Sequence, residues 1–386
     1  MVVGVDIRCL QDTWRTGVGE VAWQTLRALA NFPDIKLVGF ANAAGKINLP
    51  PEVEKVIKVV RTRVPNKVKN LAFYLKLGKS LDKLLTEQSG TPIDVLWLPN
   101  PGFAFFSGQV PVVLTVHDLS FIHFSEFFPR RGKWWYFPAV RQLLKKGLPQ
   151  KSFVAAVSQH TADDLVEQFP NLRSKIKVIY PGVTEDNFTS PSDQFKKSVR
   201  DKFNLPTRFL LSVGTVEPRK NYGLLLQAYD NLLKIEPTYP WDLVIVGGWG
   251  WRSQALKKQY NNLTCQSRIH FVGYVTSEEK KALYAQAELF LYPSFYEGFG
   301  IPPLEAMAAS VPVVVSHTSS LADVVGEGGV LLNPRKSSAW VEALQWLKED
   351  AGARQQLSQQ GRRQAQKFSW TSSAQSYYDL FKSLLN

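Results

Sequence analysis

The sequence predicts an α/β protein built from two doubly wound domains in series. Three observations carry this. The chain has 386 residues, more than one ordinary core fills and enough for two. Apolar runs of strand length alternate with amphipathic segments of helix length in both halves, the pattern of parallel strands covered on two faces. Between the halves lies "YPGVTEDNFTSPSDQ" (180–194), rich in Pro, Gly and polar residues, after which the alternation restarts.

In the first half, "VVGVDI" (2–7), "IKLVGF" (35–40), "DVLWLP" (94–99), "PVVLTVHD" (111–118) and "SFVAAVS" (152–158) read as buried strands. Helices are expected over 19–30, 69–88, 133–148 and 158–169, the last with Ser158 and Thr161 as cap candidates. In the second half, strands are expected over 208–215, 241–248, 268–275, 287–294, 311–317 and 328–333. Helices are expected over 221–235, 252–261, 277–286, 302–309 and 336–349, followed by two helical segments to the end of the sequence. The domains expected are residues 1–183 and 184–370. Ligands of such sheets bind at the carboxyl ends of strands, and two facing domains place the best cleft between them.

Composition narrows the class. The net charge is +13. Residues 1–183 hold 24 Lys and Arg against 14 Asp and Glu, so most of the surplus lies in the first half. An anionic membrane, a phosphorylated substrate or nucleic acid each fits that sign. Cys9 and Cys265 form no disulfide framework or metal-ligand spacing. The N-terminus shows no basic segment ahead of its apolar run, and no apolar run approaches the roughly 20 residues of a spanning helix.

The segment "YEGFGIPPLEA" (296–306) follows a strand. Gly298 and Gly300 permit positive φ and close approach of a ligand to backbone N–H groups. Pro302 and Pro303 suit a first helical turn, so the loop feeds a helix N-terminus that favours anions. Glu297 precedes the turn and Glu305 lies about one turn into the helix. Carboxylates on either side of an anion site can accept hydrogen bonds from hydroxyls on either side of a diphosphate, the layout of a nucleotide-sugar. The plain alternative is a capped helix with two solvated glutamates. In "SVGTVEPRKN" (212–221), Gly214 ends a strand, and Arg219 and Lys220 stand at the next helix. Arg meets a phosphate by fork geometry and Lys as a point charge. Both loops leave carboxyl ends of strands in one domain and can converge.

These two motifs, with the Glu-x7-Glu spacing of Glu297 and Glu305, resemble the C-terminal domain of the retaining family 4 glycosyltransferases of GT-B fold. "RTGVGEV" (15–21), "TVHDLSF" (115–121) and "AVSQHTADDL" (156–165) resemble motifs of that family's N-terminal domain. The resemblance implies two Rossmann-like domains facing a central cleft, with the closing helix 371–386 returning to the first domain. The stripe Tyr377, Leu380, Phe381 and Leu384 has the spacing for such docking. It implies that Arg219 and Lys220 neutralise the donor diphosphate, that Glu297 binds hydroxyls of the donor sugar, and that Glu305 binds the ribose. It places backbone N–H groups of Gly298, Phe299, Gly300 and Ile301 at sugar or phosphate, and Gly273, Tyr274 and Val275 beside the base. His117 would stand near the transferring sugar, and Gly17 and Gly19 would close over the diphosphate. Unaided, His117 reads as a buried histidine at a strand end.

The activity implied is transfer of a hexose with retention from a GDP- or UDP-linked donor, with GDP-mannose first, to a glycan or lipid-linked acceptor, as in surface polysaccharide synthesis. No cofactor and no metal ion are expected, since no Asp-x-Asp stands at a strand end and cations with a helix N-terminus can supply the positive field. The expected location is cytoplasmic, with peripheral contact at the inner face of an anionic membrane. Two basic clusters interleaved with apolar residues, over 55–83 and 127–137, suggest that contact. A nicotinamide-dependent oxidoreductase would explain "GVGEVA" (17–22), but the first strand ends well before that glycine and no acidic residue follows the second strand. A nucleic-acid-binding role would use the charge and leave the paired glutamates without purpose. A sugar-nucleotide-binding protein without catalysis would share every motif.

Overall fold

The structure is a computed structural model that describes residues 1–11, 17–45, 47, 49–128 and 136–385. The chain divides into two compact units. The first comprises Met1–His123, Arg130–Gly182 and Ser369–Asn386, and the second Phe124–Pro129 and Val183–Phe368.

The first unit holds seven strands: β1 (Val2–Asp6), β2 (Lys36–Asn42), β3 (Lys58–Thr62), β4 (Val95–Leu98), β5 (Val112–Val116), β6 (Ser152–Ala156) and β7 (Ile176–Val178). All pair in parallel, in the order β3-β2-β1-β4-β5-β6-β7. Strands β4 and β5 are buried throughout, which is why they read as unbroken apolar runs. One face of the sheet packs against the helices Gly17–Leu29 and Trp370–Ser383, joining Val3, Val5 and Trp97 to Trp23, Leu26, Tyr377 and Phe381 in a single core. A buried hydrogen-bond chain ties the closing helix to the sheet. Trp97 Nε1 donates to Thr115 Oγ1 at 3.0 Å, and Thr115 Oγ1 lies 2.8 Å from the Tyr377 hydroxyl. The closing helix returns beside Gly182, where a Cβ would stand 2.3 Å from the Ser369 carbonyl carbon. Only glycine fits that approach of two backbones.

The second unit holds β8 (Phe209–Val213), β9 (Asp242–Val246), β10 (Ile269–Gly273), β11 (Ala287–Tyr292), β12 (Val313–Ser316) and β13 (Gly329–Leu332). These too are all parallel, in the order β10-β9-β8-β11-β12-β13. Leu210, Ile245, Leu289 and Val314 pack with Leu225 and Tyr229 of the helix Tyr222–Ile235 and with Trp340 and Leu344 of the helix Ser337–Glu349.

Three departures from the sequence reading have local causes. The helix expected over 69–88 is two helices, Asn66–Tyr74 and Leu81–Ser89. Lys76 and Gly78 both take positive φ, and Leu77 N–H closes the first helix onto Ala72 O at 2.7 Å. Strand β3 escaped notice because it is an edge strand carrying cations, with only Val60 buried. The helix Asp193–Phe203 lies within and beyond the stretch read as a linker. Ser192 caps it by accepting from Phe195 N–H, and Val199 alone is buried, so no apolar stripe advertised it.

Phe381 is fully buried in the first core. Replacing it with alanine is expected to cost about 3–5 kcal/mol, read as a lowered denaturant midpoint. A change under about 1 kcal/mol would mean that the closing helix does not complete this core.

Candidate functional site

Strand order in the second sheet reverses between β8 and β11, which are neighbours in space. At such a reversal the loops leaving the carboxyl ends run to opposite faces and open a crevice. Residues 214–221 leave β8 there and residues 293–300 leave β11. Asn221, in the left-handed region at φ +56°, fastens the first loop by donating from Nδ2 to Pro293 O at 3.1 Å and Pro334 O at 2.8 Å. Phe295 N–H donates to Arg219 O at 2.9 Å.

The two loops meet in a cluster of charge. Lys220 Nζ lies 2.6 Å from Glu297 Oε1, and Arg219 Nη1 lies 2.8 Å from Glu297 Oε2. Arg219 Nη2 lies 2.9 Å from Glu217 Oε1. Arg219 Nη1 also donates to Tyr296 O at 2.8 Å, and Lys220 Nζ to the Tyr292 hydroxyl at 2.6 Å. All four charged side chains are at most 15% exposed. Burial alone would raise the Glu297 carboxyl, but Arg219 and Lys220 override it and hold the pKa at about 2. Burial pulls Lys220 below its ordinary value against the pull of Glu297, and burial raises Glu217. Two carboxylates and two cations balance each other, the condition on which buried charge is tolerable.

Behind this cluster, Gly300 (φ +109°) turns the chain into the helix Ile301–Ala308. Pro302 and Pro303 lack N–H groups, so the first turn of this helix has only the Ile301 and Leu304 amides, and Leu304 N–H is spent on Gly300 O. Ser320 Oγ donates to Glu297 O at 2.8 Å and Phe299 O at 2.9 Å, and Ser319 Oγ accepts from Glu297 N–H at 2.8 Å. Glu305, one turn into the helix, is buried, with Oε1 2.7 Å from Lys280 Nζ and Oε2 accepting from the Tyr284 hydroxyl at 3.1 Å. Glycines close the other side of the crevice. Gly214 N–H donates to Val246 O and Gly247 N–H to Gly273 O, each at 2.8 Å. A Cβ on Gly247 (φ +137°) would lie 2.2 Å from Gly214 O. Tyr274 follows β10 with its ring against Gly248 and half exposed, and Val275 beside it is partly buried.

In the first unit, His117 directly follows β5 and is partly buried. Its Nε2 lies 2.7 Å from Pro99 O. A carbonyl only accepts, so Nε2 carries the proton. Burial lowers the pKa of the ring, which favours the neutral tautomer with its lone pair on Nδ1. Gly17 and Gly19, expected to close over the diphosphate, are the first and third residues of the helix Gly17–Leu29. Trp14, Arg15 and Thr16 before them, and Arg130, Arg131, Lys133, Trp134 and Trp135 of the second basic cluster, lie outside the described residues.

The structure thus joins Arg219, Lys220 and Glu297 directly, and holds Glu305 one turn away with partners of its own. Glu217 and Tyr292 were missed. Glu217 had a signal: it is an acid two residues before Arg219, at the N-cap of the turn Pro218–Lys220. Lys280 and Tyr284, on the helix Ser277–Tyr284, had none.

A profile described as Glycosyltransferase Family 4 matches residues 15–187, and one described as Glycosyl transferases group 1 matches residues 193–364. O-antigen chain mannosyltransferase B of Escherichia coli is 30% identical over 365 residues, covering 92% of this chain and 93% of that protein. D-inositol 3-phosphate glycosyltransferase of Corynebacterium jeikeium is 28% identical over 81% of this chain and 75% of its own. Among solved structures, Anabaena HepE in complex with UDP-glucose superposes with a TM-score of 0.75 at 18% identity, covering 99% of both chains. The fold class is GT-B, two parallel-sheet Rossmann-like domains.

The charge cluster makes a pH prediction. The Glu297 pKa is depressed from 4.5 to about 2, so its stabilisation is complete above about pH 4.5 and is lost as pH falls toward 2. Glu297→Gln leaves two cations against one carboxylate and is expected to cost roughly 3–5 kcal/mol at neutral pH. That deficit should shrink between pH 4.5 and the lowest pH at which both proteins stay folded. Thermal unfolding of both proteins across this range is the measurement, and a pH-independent deficit would contradict the ionised cluster.

Proposed function

The chain belongs to the group 1, family 4 glycosyltransferases, and on that premise we propose that its second unit binds a nucleotide-sugar diphosphate at the β8/β11 reversal and that a hexose passes from it, with retention, to a glycan or lipid-linked acceptor. The observation that carries this reading is the convergence of Arg219 and Lys220 on one carboxylate at that reversal. The proposed donor is GDP-mannose, which the likeness to an O-antigen chain mannosyltransferase supports. HepE, whose solved structure contains UDP-glucose, is too distant in sequence to bear on the base.

In this reading the diphosphate takes the place that Glu297 holds between the cations. Arg219 meets it with its planar fork and Lys220 with its ammonium. Glu297, released from them, accepts from hydroxyls of the donor sugar, and Glu305 from the ribose. Amides of Phe299, Gly300 and Ile301 meet phosphate or sugar oxygens, and Tyr274 and Val275 flank the base. As the bond from the anomeric carbon to phosphate oxygen breaks, negative charge grows on the diphosphate, and the two cations stabilise it without reorganising. The acceptor oxygen bonds to the anomeric carbon on the departing face, and its proton passes to a donor phosphate oxygen. His117, neutral and with Nδ1 able to accept, is assigned to the transferring sugar, and Gly17 and Gly19 to the diphosphate. Because the leaving group's charge is met by side chains, transfer is expected to persist in a chelator.

Glu297→Gln and Arg219→Ala should each lower turnover by about 10²–10³, the scale of one lost electrostatic contact to the reacting groups. The measurement is made on folded variants, below each one's unfolding transition. Near-normal turnover in either would refute the assignment. Thermal shift with GDP-mannose, UDP-glucose and dTDP-glucose at one concentration ranks the donors, since a ligand present at 100 Kd stabilises by about 2.7 kcal/mol and a weaker one by less. The largest shift is expected with GDP-mannose. Product NMR reads the anomeric configuration, and an inverted product would overturn retention. A shift without turnover on any acceptor would indicate a binding protein.

A further inference from the structure

The helix Asn66–Tyr74 and the turn after it carry an apolar face that stays exposed among the described residues. Val68, Leu71, Leu75 and Leu77 are 55%, 42%, 53% and 59% exposed. Val68, Leu71 and Leu75 recur at the three- and four-residue spacing of one helix face. The orientation is fixed from the opposite side. Phe73 is buried, with the Lys69 ammonium 4.6 Å from its ring centroid, and Asn70 Oδ1 accepts from Arg8 Nη1 at 2.8 Å. Arg8 is itself held by Asp6 at 2.6 Å. The helix cannot roll to bury its apolar face without breaking these contacts. The turn adds to the exposure, because Lys76 in the left-handed region and Gly78 after it project Leu77 outward.

Cations surround this face. Arg63, Lys67, Lys76 and Lys83 are exposed and make no ion pair among the described residues. Of the acids near them in the chain, Glu52 is exposed and three others are engaged. Glu54 pairs with Arg61 and Glu87 with Lys79, while buried Asp82 accepts from the Ser107 amide at 2.9 Å. Residues 55–83 hold nine Lys and Arg against one acid. A second copy of the chain would bring the same cations against these and be repelled. A surface that is apolar at its centre and anionic around it fits, and an anionic bilayer is such a surface.

We propose that this face of the first unit docks on anionic lipid, with Val68, Leu71, Leu75 and Leu77 entering the headgroup boundary and Arg63, Lys67, Lys76 and Lys83 meeting lipid phosphates. The helix is too short to span or to anchor by itself, so the contact is reversible and needs both terms. It does not depend on the donor site and reads no transfer, so it stands or falls apart from the proposed activity.

The test is flotation of the full chain with phosphatidylcholine vesicles, pure or with roughly a third phosphatidylglycerol. Binding is expected only with phosphatidylglycerol, and it should fade as salt shortens the Debye length from about 30 Å to about 3 Å. Leu71→Asp with Leu75→Asp should weaken partitioning at least about tenfold, since it places charge where the apolar term acts. Lys67→Gln should weaken it about fivefold, the loss of one cation near the surface. These side chains point outward, so unchanged circular dichroism and thermal transitions are expected. No flotation with anionic vesicles at low salt would overturn the proposal. So would flotation that ignores both variants, or light scattering that shows a dimer which the Leu71/Leu75 pair dissociates.

Discussion

Parallel strands are the constraint from which the site follows. A sheet with every strand parallel must return each connection over a face, and where strand order reverses, consecutive connections depart to opposite faces. In the second unit that place is the β8/β11 pair. One lip of the crevice supplies Arg219 and Lys220 and the other supplies Glu297. The segment after β8 already pairs Glu217 with Arg219, but only the meeting of the two lips gives both cations a shared carboxylate. Charge neutrality then orders the details. Lys220 is stripped of water and would lose its proton more readily if Glu297 were absent. Glu297 would be driven toward the neutral acid if the cations were absent. Glu217 supplies the second negative charge, and its contact with Arg219 Nη2 leaves Nη1 for Glu297 and Tyr296 O.

The strands were legible in the sequence where burial is uniform. Strands β5, β8 and β12 are buried along their whole length, and their composition announces it. Legibility fails at edges and at breaks. Strand β3 mixes two cations with Val59 and Val60, because an edge has one neighbour and much water. The break at residues 75–80 was hidden because Lys76 does what glycine usually does at a helix end. The sequence also did not say that Phe124–Pro129 groups with the second unit. That segment is aromatic, with Phe127 and Phe295 ring centroids 5.9 Å apart and Phe124 and Tyr296 5.8 Å apart. Aromatic composition gives no address for such contacts.

For the site, the residue types were readable and their resting partners were not. Glu297 and Glu305 both looked like carboxylates held for hydroxyls. In the structure, Glu297 is gripped by two cations and Glu305 by Lys280 and the Tyr284 hydroxyl. Those partners come from the helix Ser277–Tyr284 and from the loop after β8, elements far away in sequence. Spacing along the chain fixes what shares a helix turn. It does not fix which loops converge, and for Glu297 that convergence sets the pKa.

On the proposed reading, this resting arrangement bears on how a donor is selected. A diphosphate that reaches Arg219 and Lys220 must displace a carboxylate already making charge-assisted bonds of the same class. The phosphates therefore gain little over what they replace, because one anion is exchanged for another at the same cations. The displaced Glu297 must find donors, and in a buried position an unpaired carboxylate is costly. Sugar hydroxyls can supply them; a nucleoside diphosphate without its sugar cannot. The free energy that drives the exchange then comes largely from the group to be transferred, and it grows if those hydroxyl bonds tighten as the anomeric carbon becomes electron-poor. Interactions that strengthen toward the transition state raise turnover, whereas uniform binding does not. A carboxylate stored between the phosphate-binding cations thus links recognition of the leaving group to recognition of the sugar.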